Sequence, residues 1–108
     1  MMIEHQHHNL DVEGNPAGGR TKGTGFDIEW QNGPLGVGAD RKAPNGAFVE
    51  DVLRAVIGRI EFYQTASNRK FACRENAIAL THLETALLWL EKRTDDREAR
   101  GVEGTHTP

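Results

Sequence analysis

Apolar residues recur with two different spacings along this chain, and the change falls near residue 45. From Phe48 onward they run Phe48, Val49, Val52, Leu53, Val56, Ile57, Ile60 and Tyr63, at intervals of three and four. That interval gathers them on one side of an α-helix and predicts a helix over about 46–65 with a wide apolar stripe. Gly58 interrupts the run at a cost of up to ~1 kcal/mol relative to alanine. It either lets a second backbone approach or is a tolerated defect. A second helix is predicted over about 71–100, where Asn76, Leu80, Leu83, Leu87, Leu90, Thr94 and Arg97 alternate steps of four and three. This 3.5-residue repeat belongs to a helix packed along a partner helix. Ala79, Ala86, Leu88 and Trp89 widen the apolar face, whereas Glu84 and Glu91 fall on the polar side.

The polar stretch Thr65 to Lys70 has the length of an ordinary helix-to-helix connection, so the two helices form an antiparallel hairpin. Gly101 suits the left-handed residue that terminates a helix, and Arg93, Arg97 and Arg100 suit its negative end. Residues 101–108 read as a C-terminal loop.

Before residue 45 the spacing is different. Phe26 to Trp30 alternates apolar and acidic positions, the period of a half-buried strand. Asn32-Gly33 signals a turn, Pro34 excludes continuation as a central strand, and Leu35 and Val37 suit a short partner, giving strands over about 26–38. Residues 3–12 offer a further strand. Glu13 to Gly25 has almost no apolar side chain, so residues 1–25 are expected to form a flexible or weakly structured arm. Asn45 suits the N-cap of the first helix, and Glu50 and Asp51 its positive end.

The expected fold is therefore α+β. A small antiparallel N-terminal sheet precedes a long antiparallel two-helix hairpin, in one domain over 26–108. The apolar stripes exceed what one hairpin beside a glycine-rich sheet can cover, so a homo-oligomer is expected.

Composition narrows the function classes. With 108 residues the chain supports one modest core. A formal net charge of -3 argues against a general DNA or RNA binder, which needs surplus cations, although a local basic cluster can still hold a small phosphorylated ligand. The single cysteine, Cys73, has no partner for an internal disulfide. No run approaches the roughly 20 apolar residues of a membrane span. The polar, histidine-rich start does not read as a secretory signal, and the expected location is the cytoplasm.

Candidate chemistry follows from helix geometry. Tyr63 and Asn76 belong to the loop end of the hairpin, Arg93 and Arg97 to the other end, one turn apart on one face. Asn76 and Arg93 are about 25 Å apart at 1.5 Å per residue, so no small ligand touches both within one chain. Two hairpins packed antiparallel would bring an aromatic ring, an amide and two guanidiniums together in two equal pockets. Such a pocket suits a nucleotide: the ring stacks on a base, the amide bonds a base or ribose edge, and the arginines take phosphate oxygens. Taken alone, the pattern favours the plainer reading: solvated arginines that complement the helix end and pair with Asp96 or Glu98, an Asn76 that fixes register in an interface, and a Tyr63 in the core or an interface.

Other constellations fail. Glu4-His5-Gln6-His7-His8 invites a metal, but on a terminus without supporting partners no specific metal site is expected. Cys73, Asn76 and His82 resemble a nucleophile set, yet Cys73 and His82 lie about 13 Å apart along a helix and on different faces. Asp95-Asp96 is an exposed carboxylate pair. No nucleophile elbow or phosphate loop is present. The chain is not expected to be an enzyme or to carry a cofactor.

The segment Phe71-Ala72-Cys73-Arg74-Glu75-Asn76-Ala77, the run Glu84 through Arg93-Thr94, then Arg97 and Arg100-Gly101-Val102-Glu103-Gly104-Thr105-His106 resemble the hairpin signature of the phage Thoeris anti-defence proteins. Trp30-Gln31-Asn32-Gly33-Pro34, Asn45-Gly46 and Arg59-Ile60-Glu61-Phe62-Tyr63-Gln64 are similar to the same family, in the same order. The likeness runs from about Gly25 to His106.

The resemblance implies a sponge, active in the cytoplasm of the infected bacterium. It would bind cyclic ADP-ribose isomers made by a TIR-domain enzyme and hold them uncleaved, so that the Thoeris effector stays off. It also implies a dimer, or a hexamer built from dimers, with separate sites for cyclic di- or trinucleotides that would blunt CBASS signalling. By this likeness Tyr63 is the stacking aromatic, where phenylalanine is more usual. Asn76 is the pocket amide, and Arg93 and Arg97 are the phosphate arginines. An arginine before the first helix corresponds best to Arg41. The second site is expected in Arg100, Gly101, Val102, Glu103, Gly104, Thr105 and His106. The alternative is a helical hairpin that binds a protein partner and no small molecule.

Overall fold

A computed structural model describes residues 5–108. The elements run β1 (His5–Val12), β2 (Asn15–Gly23), β3 (Phe26–Asn32), a single 3-10 turn (Gly38–Asp40), α1 (Val49–Arg69) and α2 (Arg74–Ala99). The chain divides into two compact units, one of residues up to 48 together with 97–108, the other of residues 49–96.

In the first unit the strands form an antiparallel sheet in the order β1-β2-β3. The segment expected to be a flexible arm thus carries β1 and β2. Its apolar content is as low as the sequence indicated, and β1 is exposed along its whole length. What orders it is a pair of two-residue turns. Val12 pairs with Asn15 across Glu13-Gly14, and Gly23 pairs with Phe26 across Thr24-Gly25. Glu13 and Gly14 both have positive φ, at 53° and 79°, the turn whose twist matches that of paired strands. Cross-strand pairs then do what burial does not. Thr21, which is buried, accepts a hydrogen bond from the Trp30 indole at 2.9 Å, and its hydroxyl lies 3.2 Å from His7 Nδ1. Arg20 binds Asp27 through both carboxylate oxygens and lies 3.7 Å from Glu29. Pro16 is tolerated because it lies at the start of β2, beyond the reach of β3 and next to a register shift between Asn9 and Asp11.

Leu35 and Val37 are not a strand. The outer edge of β3 is closed instead by Asn45 to Ala47. The Ala47 amide donates to Glu29 O at 2.7 Å, and the Gln31 amide donates to Ala47 O at 3.0 Å, a parallel bridge beside Trp30. Two side chains lock it reciprocally. Gln31 Oε1 accepts the amides of Asn45 at 2.8 Å and Gly46 at 3.2 Å. The Asn45 carboxamide accepts the Asn32 amide at 2.8 Å and donates to Asn32 O at 3.0 Å. Asn45 is therefore a tie to β3, not the N-cap of α1, and α1 starts at Val49 rather than near 46. Gly46 is required there, because a Cβ would come within 2.6 Å of the Trp30 carbonyl carbon and oxygen.

The second unit is the hairpin. Regular helical geometry in α1 stops at Thr65: Ala66 is extended, and Ser67, Asn68 and Arg69 have positive φ. The helix therefore ends where the hydrophobic period predicted. The turn is fastened by Gln64, whose carboxamide accepts the Cys73 amide and donates to Cys73 O, both at 3.0 Å. Farther along, Arg54 binds Glu91 at 3.0 Å, so the helices run antiparallel. Along α2 the residues of the 3.5-residue seam, Asn76 through Arg97, are half-buried, and their neighbours are mostly exposed. On α1 Leu53, Ile60 and Gln64 are half-buried, and Ile57, at 8% exposure, is buried. Leu88 and Trp89 are 65% and 67% exposed. Among the described residues no helix is long and apolar enough to cross a membrane.

Candidate ligand-binding site

The hairpin carries three of the expected residues. Tyr63 is in the last regular turn of α1 and is 38% exposed. Its hydroxyl accepts a hydrogen bond from Arg59 Nε at 3.1 Å, and the Arg59 guanidinium carbon lies 4.8 Å from the ring centroid. Arg59 was not singled out from the sequence. Its four-residue spacing from Tyr63 is the signal that could have found it. Asn76, in the first turn of α2, is half-buried, and its side chain makes no hydrogen bond among the described residues. Arg93 is exposed and has neither an ion pair nor a hydrogen bond among the described residues. The expected pairing of these arginines with Asp96 or Glu98 does not occur. Asp96 is taken by Lys92 at 3.1 Å. The hairpin does not bring the three together, because Gln64 and Cys73 mark the end that holds Tyr63 and Asn76, whereas Arg93 lies just past Glu91, the partner of Arg54.

Arg97 and Arg41 belong to a different arrangement. At the end of α2 the Gly101 amide donates to Glu98 O and the Val102 amide to Arg97 O, both at 3.0 Å, with Gly101 at φ 72°. This is the glycine-terminated helix end that the sequence predicts. It turns the tail back toward Arg97, whose guanidinium donates to the carbonyls of Thr107 at 2.6 Å, Val102 at 3.0 Å and Thr105 at 3.1 Å. Arg100 donates to Pro108 O at 2.9 Å. Arg41 grips the same tail. Its two terminal nitrogens meet the Glu103 carboxylate at 2.6 and 3.1 Å, and one also donates to Gly36 O at 3.3 Å. The Gly36 amide donates to Gly104 O at 2.9 Å.

The electrostatics follow. The Arg41 hydrogen bonds hold the Glu103 carboxyl below the usual glutamate range, against a smaller desolvation effect, with the charges of Arg41 and Arg97 assisting. Glu103 in turn raises Arg41. The stretch 101–107 is thus a fastened loop. Val102, Glu103, Gly104 and Thr105 are half-buried, and Gly101 and His106 are exposed.

A shallow depression of about 390 Å³ lies on the sheet, lined by His8, Leu10, Arg20, Glu29, Asn32 and Asn45 among others. None of Tyr63, Asn76, Arg93, Arg97 or Arg41 lines it. No cluster of three or more potential metal ligands occurs among the described residues, and Glu4 of the histidine-rich start lies outside them.

A small antiparallel sheet leading into a long helical hairpin defines a hairpin-domain protein. The chain belongs to the Acb2/Tad1 hairpin-domain family, whose profile matches residues 24–95. It is similar to Thoeris anti-defense 1 of Bacillus phage SBSphiJ7, with 48% identity over 79 residues that cover 73% of this chain and 51% of that protein. The chain therefore spans about half the length of the curated relative it matches. The family likeness read from the hairpin motifs is established by these matches.

Proposed function

We propose that this protein is a phage anti-defence sponge. It binds cyclic ADP-ribose-type immune signals in the cytoplasm of the infected bacterium and holds them without cleaving them, keeping the Thoeris effector inactive. The observation that carries this reading is Arg93, an exposed guanidinium with no ion pair or hydrogen bond among the described residues. The free Asn76 amide and the Tyr63 ring support it. Two hairpins packed antiparallel, within a dimer or hexamer, set Tyr63 and Asn76 of one copy beside Arg93 and Arg97 of the other. The ring stacks on the base, the amide reads an edge, and the arginines hold the two phosphates. Arg97 and Arg41 each spend three of the five guanidinium donors on the tail and its loop, leaving two apiece for phosphate oxygens. The fastened loop Arg100 to His106 is the second site, for cyclic di- or trinucleotides, through which CBASS signalling is also lowered.

Calorimetry with cyclic ADP-ribose tests the main site. Arg93→Ala is expected to weaken binding by about 100-fold, the scale of losing a desolvated charged partner, while the oligomer keeps its mass. Undiminished affinity in that variant sinks the assignment. Heating the complex should release intact messenger. A degraded product would mean an enzyme.

The exposure of Leu88 and Trp89 favours a second reading, a hairpin that docks on a host or phage protein. Native mass spectrometry after incubation with infected-cell extract separates the two. A bound small-molecule mass supports the sponge, and a protein partner without one supports the docking module.

A further inference from the structure

We propose that Arg59 is the positioning residue for Tyr63, and that the pair selects an uncharged, electron-rich ring such as a purine over a cationic ring. This rests on the reading of Tyr63 as a stacking platform. The two residues are one turn apart on α1. The Arg59 guanidinium carbon lies 4.8 Å from the Tyr63 ring centroid and 5.2 Å from that of Phe62, and the two rings are 6.0 Å apart at 59°. Arg59 Nε donates to the Tyr63 hydroxyl at 3.1 Å.

Three consequences follow. One face of the tyrosine ring is already occupied, so a planar ligand stacks on the other. The bond to the hydroxyl fixes the ring before the ligand arrives, which lowers the ordering cost of binding. The guanidinium also draws π-density toward itself. That makes the opposite face a better partner for an electron-rich base and a poorer one for a pyridinium. Arg59 has no carboxylate partner among the described residues, so its charge is not cancelled. A phenylalanine at position 63 would keep the stacking face and lose the bond that fixes it.

The test compares wild type, Arg59→Met and Arg59→Lys. Calorimetry with cyclic ADP-ribose should show about two- to fivefold weaker binding for Arg59→Met, the scale of a lost exposed cation–π contact, and partial recovery for Arg59→Lys. Tyr63 is the chain's only tyrosine, so its ring protons are identifiable by NMR. Adenosine monophosphate should shift them in wild type more than nicotinamide mononucleotide does, and Arg59→Met should erase that difference. Equal affinity of wild type and Arg59→Met for cyclic ADP-ribose overturns this inference and leaves sequestration standing. Messenger that does not bind, with an Arg59-dependent purine shift at Tyr63, overturns sequestration and leaves this inference standing. If neither mononucleotide moves Tyr63 in wild type, or both move it alike, the inference falls.

Discussion

The Arg41 guanidinium and the Glu103 carboxylate, 62 positions apart in the chain, face each other through two hydrogen bonds of 2.6 and 3.1 Å. Because the folded-state carboxyl titrates below its unfolded value, the stabilisation is fully present above the ordinary glutamate range. It is lost as pH falls through the depressed folded value. Acidification should therefore release the tail, read as loss of hydrogen-exchange protection at the Gly36 and Val102 amides. Asp27 is likewise depressed by its hydrogen bonds to Arg20, so the sheet has an acid response of its own. Glu103→Gln should abolish the response at the tail and leave that of β2 and β3. An unchanged acid response at Gly36 in this variant would contradict the assignment.

Arg97, a proposed phosphate ligand, is expected to anchor the tail as well. Arg97→Ala leaves three tail carbonyls without their donor, a loss of about 1–3 kcal/mol for bonds to a charged group. Exchange at residues 102–107 should quicken while residues 53–90 keep their protection. Arg93→Ala should leave exchange in both regions unchanged, so the two variants separate the proposed ligand contact from tail anchoring.

Gly46→Ala is expected to destabilise the first unit by about 1–3 kcal/mol, since the new methyl group meets main-chain atoms that cannot swing aside. Thermal unfolding followed by Trp30 fluorescence, with the exposed Trp89 replaced by phenylalanine in both proteins, reads this. A melting temperature equal to wild type would mean that the bridge to Trp30 is absent in solution.

Among the described residues, nothing beyond its own helix turn lies within 4 Å of where a side chain at Gly58 would begin. Gly58→Ala should therefore stabilise the chain's own helix by up to about 1 kcal/mol through helix propensity. If the same change lowers the mass of the proposed oligomer, a second copy approaches at Gly58, which decides between the two readings of that glycine.

The hairpin was legible because its information is local. Leu80, Leu83, Leu87 and Leu90 repeat with the helical period, and the structure half-buries these very residues. Gly101 terminates α2 through contacts a few residues away. The sheet was only partly legible. Phe26 to Trp30 alternates and is a strand, but β2 is held by turns and by individual pairs such as Arg20 with Asp27, which leave no hydrophobic period. Asn45 looked like a helix cap because its preference for a cap and its ability to close a strand edge use the same short carboxamide. Only its partners, Asn32 and Gln31, decide between them. Tyr63, Asn76 and Arg93 are proposed from the sequence alone, whereas the anchoring of the tail by Arg97 and Arg41 depends on carbonyls and the Glu103 carboxylate that are brought near only after the turn at Gly101.

The fastening of Gly36 and Arg41 by Gly104 and Glu103 also sets an order of events during synthesis. The sheet strands pair with near neighbours, and the hairpin closes on itself through Gln64 and Cys73, so both can form as the chain emerges. The loop at 36–41 has one local bond for its arginine, to Gly36 O, but the carboxylate that takes two further donors is distant in the chain. It must wait until the residues 62 positions further on have been made, and contacts of that separation form late. The tail grip thus matures after the sheet and the hairpin, and a released chain truncated before Glu103 would carry a finished hairpin and an unset loop.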